Sequence, residues 1–131
     1  MSTRRAFVAT LLSAFPALSC SVAYARLDHP EPRPGVDASK VVPALDLTHY
    51  PDAAPVLDMV REIPQIIDGI RCQCGCSDMP DKYSLLSCFE GKAMGQRCAA
   101  CKAQVRAIHR LHREGKTLAE IRAAIDEEFG S

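Results

Sequence analysis

The amino-acid sequence predicts a small, cysteine-rich, all-α domain. Apolar residues recur at three- and four-residue spacing in several stretches after residue 55, and no run of alternating apolar residues is long enough for a sheet. Six of the seven cysteines fall between Arg71 and Lys102. With 131 residues, an aromatic content of 5% and no tryptophan, the chain is expected to form one domain with a small aliphatic core.

Residues 1–25 are predicted to be a signal peptide. Arg4 and Arg5 precede an apolar run, and Ala23-Tyr24-Ala25 supplies the small residues of a cleavage site. The arginine pair is similar to the twin-arginine export motif. We therefore expect the processed protein to be periplasmic or otherwise extracytoplasmic.

Cys20 offers an alternative cleavage site. It follows a small residue at the end of the apolar run, which resembles the sequence at which lipoproteins are cut before a lipidated cysteine. Contact with a membrane is expected only through the signal peptide or through this lipid anchor. Either cleavage leaves six cysteines in the processed chain.

Residues 26–54 are predicted to be a proline-rich linker. Pro30, Pro32 and Pro34 alternate with other residues, and no apolar period is sustained in this stretch. An extended linker of this kind would hold the following domain away from a cleavage site or a membrane. His29 and His49 are expected to be solvated loop histidines.

Two short helices are expected at the start of the helical domain, which spans residues 55–131. Pro55 suits the first turn of a helix. The apolar stripe of that helix would consist of Val56, Met59, Val60 and Ile63. Pro64 would end or kink it, and a second short helix would lead into Cys72.

A third short helix is expected after an irregular loop. Ser84 would cap it, and Gly91 would stop it. Its apolar face would bring Cys88 inward, beside Leu85 and Phe89. Burial of this kind raises the pKa of a thiol, so Cys88 is expected to be structural.

The C-terminal part is expected to be an antiparallel helical hairpin. One helix would run from about Cys98 to Gly115, and Thr117-x-x-Glu120 is a capping box that would begin the next. The apolar stripe of the last helix would consist of Leu118, Ile121, Ile125 and Phe129.

The charge balance argues against a nucleic-acid partner. The chain has 16 basic and 16 acidic side chains, so its formal net charge is zero. His109 and His112 are expected to belong to a solvated basic face. His112 would lie too far from Cys101 along a helix axis for the two residues to share one ion.

Cys72-x-Cys74-x-Cys76 is the most specific motif in the sequence. Alternate residues of an extended backbone face the same side, so the three thiolates would converge. Disulfides between such close neighbours would be strained. Because Cys72 and Cys74 enter a polar loop that contains Gly75, we expect solvent and partners to reach them.

Cys88, Cys98 and Cys101 are the remaining cysteines, and they are candidates for disulfide bonds with the first three. Cys98-x-x-Cys101 lies at the predicted start of a helix, where unpaired amides and the helix dipole lower the pKa of a thiol. The same spacing suits half of a zinc site. The motif therefore fits a reactive dithiol, a structural disulfide or a metal site.

The segments Ile70–Cys76, Ser84–Phe89 and Cys98-x-x-Cys101, with the ending Gly115–Asp126, resemble the family of exported bacterial proteins and lipoproteins with a PCYCGC or CYCxC motif. The resemblance covers about residues 63–130. That family has no settled function. Some members are described as selenoproteins, which implies redox chemistry at the motif. Gln73 stands where the family usually has tyrosine.

Three functions fit these observations. The favoured one is thiol–disulfide exchange with protein thiols or disulfides, in which Cys72, Cys74 and Cys76 would be the catalytic residues. The second is a metal-thiolate protein that binds copper or zinc. Its ligands would come from Cys72, Cys74, Cys76, Cys88, Cys98 and Cys101. The third is a disulfide-stapled, non-catalytic binding module. Whether the chain is an enzyme depends on which of these functions holds.

Overall fold

A computed structural model describes residues 28–91 and 94–130. Four α-helices occupy these ranges: α1 (Ala53–Glu62), α2 (Pro64–Asp68), α3 (Ala99–Arg113) and α4 (Leu118–Phe129). Three short 3-10 helices, Cys76–Asp78, Leu86–Phe89 and Met94–Gln96, connect α2 to α3. Within the two described ranges, strand-like pairing is limited to one isolated antiparallel bridge between Val41 and Glu90. The predicted all-α class is therefore confirmed.

Proline marks the boundary between the first two helices, as predicted. α1 begins at Ala53, two residues before Pro55, and ends at Glu62. Ile63 has φ −133° and ψ 49°, a non-helical conformation that suits a residue followed by proline. Pro64 is then the first residue of α2, where its missing N–H costs no helical hydrogen bond.

The core consists of aliphatic side chains from every helix, with one large aromatic ring. α1 contacts α3, and α3 contacts α4, so α3 lies centrally in the helical domain. The largest fully buried apolar side chains are Leu57, Ile67, Ile70, Leu85, Leu86, Phe89, Ile108, Ile121 and Ile125. This composition matches the small aliphatic core that the sequence predicts.

The predicted helical hairpin is present. α3 ends just before Gly115, whose φ of +82° is a left-handed conformation that glycine adopts at little cost. The Thr117 side chain then accepts a hydrogen bond from the backbone N–H of Glu120 at 3.2 Å, which caps α4. The predicted cap at Thr117 is therefore confirmed, while the Glu120 carboxylate accepts from the Thr117 hydroxyl at 3.2 Å.

The role predicted for Ser84 is wrong. The short helix it was expected to cap is a 3-10 helix, Leu86–Phe89, which has no side-chain cap. The Ser84 hydroxyl instead donates a hydrogen bond to the Asp68 carboxylate at 2.6 Å. A buried, charged acceptor outcompetes the local backbone amides for this hydroxyl.

The segment predicted as a proline-rich linker has extensive contacts with the helical domain from residue 28 onward. The backbone N–H of Arg33 and its guanidinium both donate to Asp68, whose carboxylate is fully buried. Farther along, the Val42 N–H donates to the Phe89 carbonyl at 3.1 Å. The buried Asp68 carboxylate needs several donors to offset its lost hydration, and Arg33 provides them from this segment. The segment is therefore attached to the helical domain.

The predicted signal peptide, including Arg4, Arg5, Cys20 and the Ala25 cleavage site, lies outside the described residues. Among the helices that the structure does describe, none has the length and apolar character that crossing a bilayer requires.

Candidate metal centre

Four cysteines meet in one cluster. The Sγ atoms of Cys72, Cys74, Cys76 and Cys101 all lie within 4.8 Å of one another. Cys74 Sγ is 3.0 Å from Cys72 Sγ and 2.8 Å from Cys76 Sγ. Cys101 Sγ is 3.5 Å from the sulfurs of both Cys72 and Cys74. We refer to these four residues as the four-sulfur cluster.

The three cysteines of the loop converge as predicted, but through a turn instead of an extended backbone. Residues 73–75 form this turn, and Gly75 has φ +87°. Cys76 then begins a 3-10 helix. A left-handed residue reverses the chain within a few atoms, which folds Cys76 back toward Cys74. Glycine at position 75 is therefore a geometric requirement of the cluster.

Cys72 is buried, which contradicts the prediction that solvent reaches it. Only 1% of the residue is exposed, and Cys101 is fully buried. The cause lies just upstream, where the Ile70 carbonyl accepts from the Leu85 N–H at 2.8 Å and draws the chain into the core. Cys74 and Cys76 are half-buried, so they form the outer side of the cluster.

The pKa values of three thiols in the cluster, those of Cys72, Cys76 and Cys101, are raised. Burial and the neighbouring sulfur of Cys74 raise the pKa of Cys76 to about 12. Hydrogen bonds with Cys72 and Cys88, together with burial, raise the pKa of Cys101. The pKa of Cys72 is also raised, although a hydrogen bond from Cys101 opposes the shift. Without a cation, these groups are neutral thiols at neutral pH.

Cys88 is fully buried in the hydrophobic core, as predicted. However, the pKa of Cys88 is lowered, opposite to the prediction, because hydrogen bonds from the Cys101 and Cys72 thiols outweigh the effect of burial. Cys88 lies outside the group of four sulfurs that approach within 4.8 Å of one another.

Cys98 lies at the edge of the site. It is the N-cap of α3, and its Sγ accepts from the backbone N–H of Cys101 at 3.4 Å. Cys101, three residues later, is the one that joins the four-sulfur cluster. The two cysteines of Cys98-x-x-Cys101 thus have different roles. Neither Cys98 nor Cys101 forms a disulfide bond in the described structure.

Gln104 supports the cluster and was not predicted from the sequence. It is fully buried on α3, and its side-chain carbonyl accepts from the Gln73 backbone N–H at 3.0 Å. Its amide nitrogen lies 3.9 Å from Cys72 Sγ. This residue therefore fixes the loop to α3 and directs an N–H toward a sulfur. The sequence does contain one signal for this role: Gln104 follows Cys101 by three residues, which places the two side chains on the same face of a helix.

His29 positions the loop from the other side, so the prediction of a solvated histidine at this position is wrong. Its Nδ1 accepts from the Arg71 backbone N–H, and its Nε2 bonds Asp126 Oδ1, both at 2.9 Å. The same Asp126 oxygen accepts from the Gln73 side chain at 2.8 Å. His49, in contrast, has a side chain that is 74% exposed, as predicted.

Replacing His29 by alanine should loosen the loop without unfolding the domain. The change removes the acceptor of the Arg71 N–H, a bond worth about 1 kcal/mol, so hydrogen exchange at this amide should accelerate roughly fivefold. The control is His49→Ala, which removes an exposed histidine from the same segment and should leave the Arg71 amide unchanged. Equal exchange rates at Arg71 in all three proteins would contradict the assigned role of His29.

The two histidines of α3 take no part in the cluster. His112 is exposed, as predicted for a solvated face. His109 is less exposed than predicted, because its ring bonds the Glu62 carboxylate on α1. The metal-ligand group is therefore made of thiols alone.

The four-sulfur cluster has the dimensions of a tetrathiolate metal site. Zinc–sulfur bonds of about 2.3 Å place the sulfurs of a tetrahedral site about 3.8 Å apart. The separations in the cluster, from 2.8 Å to at most 4.8 Å, differ from this value by about 1 Å. Small rotations of the side chains would therefore suffice to surround an ion.

Comparisons with known proteins provide no relative for this chain. No protein-family model matches it, and searches of curated proteins and of solved structures found no match.

Proposed function

We propose that this protein binds a soft metal ion, copper(I) or zinc, through the thiolates of Cys72, Cys74, Cys76 and Cys101. The observation that supports this function is the approach of all four sulfurs to within 4.8 Å of one another. Thiolates select copper(I), zinc and iron–sulfur centres over harder cations. Four of them around one ion form a closed coordination shell, which is typical of a site that stores or transfers metal or stabilises a fold.

The burial of the cluster favours metal binding over thiol–disulfide exchange. An attacking cysteine needs an accessible thiolate with a lowered pKa. Cys72 is 1% exposed and its pKa is raised, so it lacks both properties. A metal ion replaces the protons of such thiols and compensates the charge of the resulting thiolates.

We further propose that the protein acts outside the cytoplasm, as its signal-like first 25 residues and its resemblance to the exported PCYCGC-motif family suggest. Cysteines as close together as those of the four-sulfur cluster need protection against disulfide formation in an oxidising compartment. A bound ion provides that protection, because coordinated thiolates are withheld from oxidants.

Cobalt(II) is a suitable probe for the four-sulfur cluster. We expect the reduced protein, titrated without oxygen, to bind one cobalt(II) per chain with the intense charge-transfer bands of thiolate ligands and the visible bands of a tetrahedral site. Zinc should then displace the cobalt. Cys74→Ser should abolish the tetrahedral spectrum, because serine does not replace a thiolate.

Cys98→Ser is the matched control, since Cys98 is also half-buried but lies outside the four-sulfur cluster. This variant should keep the cobalt spectrum. Two results would overturn the proposed function: binding of neither cobalt(II), zinc nor copper(I) by the unmodified protein, or identical cobalt spectra for Cys74→Ser and the unmodified protein.

A further inference from the structure

The partners of Gln104 fix the orientation of its side-chain amide. A backbone N–H only donates, so the atom that faces the Gln73 N–H at 3.0 Å is the amide oxygen. A backbone carbonyl only accepts, so the atom that lies 3.2 Å from the Ala100 oxygen is the amide nitrogen, Nε2. The same nitrogen lies 3.9 Å from Cys72 Sγ. One of its two hydrogens is therefore donated to the Ala100 carbonyl, and the other is directed at the sulfur.

This N–H differs from the sulfur–sulfur contacts of the cluster in how it responds to a metal ion. The hydrogen bonds of Cys72 with Cys74 and Cys101 are donated by thiol protons. A metal ion displaces those protons when it binds. The amide of Gln104 does not ionise, so its N–H remains and bonds a sulfur that has become a thiolate. A hydrogen bond to an ionised acceptor is stronger than one to a neutral acceptor.

The burial of Cys72 increases the importance of this donor. Cys72 is 1% exposed and Gln104 is fully buried, so water contributes little to the stabilisation of a thiolate at this position. A zinc ion with four thiolates has more negative than positive charge, and the excess is buried with the sulfurs. An N–H that remains in place after the metal has bound therefore offsets part of the cost of burying this charge.

We infer that Gln104 is a positioning residue of the metal site: its Nε2–H holds the sulfur of Cys72 toward the ion and stabilises the thiolate. This inference rests on the proposed metal-binding function and identifies a residue, besides the four ligands, on which metal affinity depends. The amide oxygen of Gln104 also fixes the loop through the Gln73 N–H. The experiments below distinguish the bond to sulfur from this structural contact.

Nuclear magnetic resonance of the reduced, full-length protein, loaded with a spin-active cadmium isotope, tests the hydrogen bond directly. Cadmium is a soft ion that thiolates bind as they bind zinc. We expect a scalar coupling between cadmium and a side-chain amide proton of Gln104, transmitted through Cys72 Sγ. An amide that only fixes the loop would show no such coupling. Its absence from the cadmium-loaded protein would overturn the inference.

The matched variants are Gln104→Met and Gln96→Met. Gln96 is also a buried glutamine that fixes a loop, because its amide bonds the Leu45 N–H and the Pro43 carbonyl, both at 2.9 Å. Gln104→Met should lower cobalt(II) affinity about 10- to 100-fold, the usual loss when a hydrogen-bond partner of a metal ligand is removed. Its sulfur-to-cobalt charge-transfer band should move to longer wavelength, because a thiolate without this N–H gives up electron density more readily. Gln96→Met should change neither property.

The outcomes separate this inference from the proposed function. Equal cobalt(II) affinities in Gln104→Met and the unmodified protein would overturn the inference. A loss of affinity without a band shift would also overturn it, since loosening of the loop alone would explain that result. The cadmium coupling is measured on the unmodified protein, so it decides the question even if Gln104→Met fails to fold. Failure to bind cobalt(II), zinc and copper(I) would overturn the proposed function itself.

Discussion

Replacing Arg33 by methionine should lower the free energy of unfolding by about 3 kcal/mol. The guanidinium of Arg33 donates two hydrogen bonds to the fully buried Asp68, at 2.7 Å from Nη2 and 3.1 Å from Nε. Its loss leaves the carboxylate with only the Ser84 hydroxyl and one backbone N–H. Breaking a buried ion pair typically costs about 3 to 5 kcal/mol, and we expect the lower value because the Arg33 side chain is 37% exposed.

Arg61→Met is a closely matched control. The Arg61 side chain is also 37% exposed, but its partners are Asp58, which is 77% exposed, and the Val42 carbonyl at 2.9 Å, so its loss should cost only about 1 kcal/mol. Chemical denaturation at neutral pH measures both variants. Equal losses of stability would show that the contact between the N-terminal segment and Asp68 adds nothing beyond an ordinary surface pair.

The same pair should make stability depend on pH in the acidic range. Burial raises the pKa of Asp68, but hydrogen bonds from Arg33 and Ser84 outweigh it and hold the pKa below its usual value. A lowered carboxyl pKa stabilises the fold above the unfolded-state value, near 4, and this stabilisation is lost as the pH falls through the folded-state pKa. Arg33→Met should therefore flatten the acid limb of the stability curve.

Zinc at a hundredfold excess over its dissociation constant should stabilise the reduced protein by about 2.7 kcal/mol. For a domain of this size, that corresponds to an increase in Tm of about 10 °C. Calorimetry with zinc and with a chelator measures the difference. Cys101→Ser should abolish it, because Cys101 connects α3 to the loop that contains the other three ligands.

The zinc effect should diminish as the pH is lowered. The raised pKa values of Cys72, Cys76 and Cys101 mean that binding has to displace protons from several thiols. Zinc affinity should therefore fall more than tenfold for each pH unit below neutrality. The control variant Cys98→Ser should keep both the zinc-dependent Tm increase and its pH dependence. An unchanged Tm increase in Cys101→Ser would contradict the assignment of Cys101 as a zinc ligand.

Local sequence signals predicted the helices well. The start of α2 at Pro64, the end of α3 before Gly115 and the cap at Thr117 all depend on neighbouring residues, so the sequence contains the necessary information. Ser84 is the exception because it hydrogen-bonds Asp68, which is distant in sequence. Competition between local and distant acceptors is decided only by the packed fold.

The cysteine clustering was predictable, but its surroundings were not. Short spacing predicted that Cys72, Cys74 and Cys76 would converge, and they do. The burial of Cys72 depends on how the chain after Ile70 pairs with Leu85, which no local pattern encodes. His29 and Gln104 were missed for the same reason, since each supports the loop from a remote part of the chain.

The hydrogen bond between His29 and Asp126 also constrains the order in which the protein folds. It joins residues 97 positions apart, near the two ends of the described chain. Contacts of such separation form late, because closing a long loop costs entropy before any contact compensates it, whereas the hairpin of α3 and α4 is local. The loop that holds three of the four ligands should therefore reach its final position only after the C-terminal helix exists. During synthesis, its thiols should stay open to oxidants and to competing metals until α4 has been synthesised.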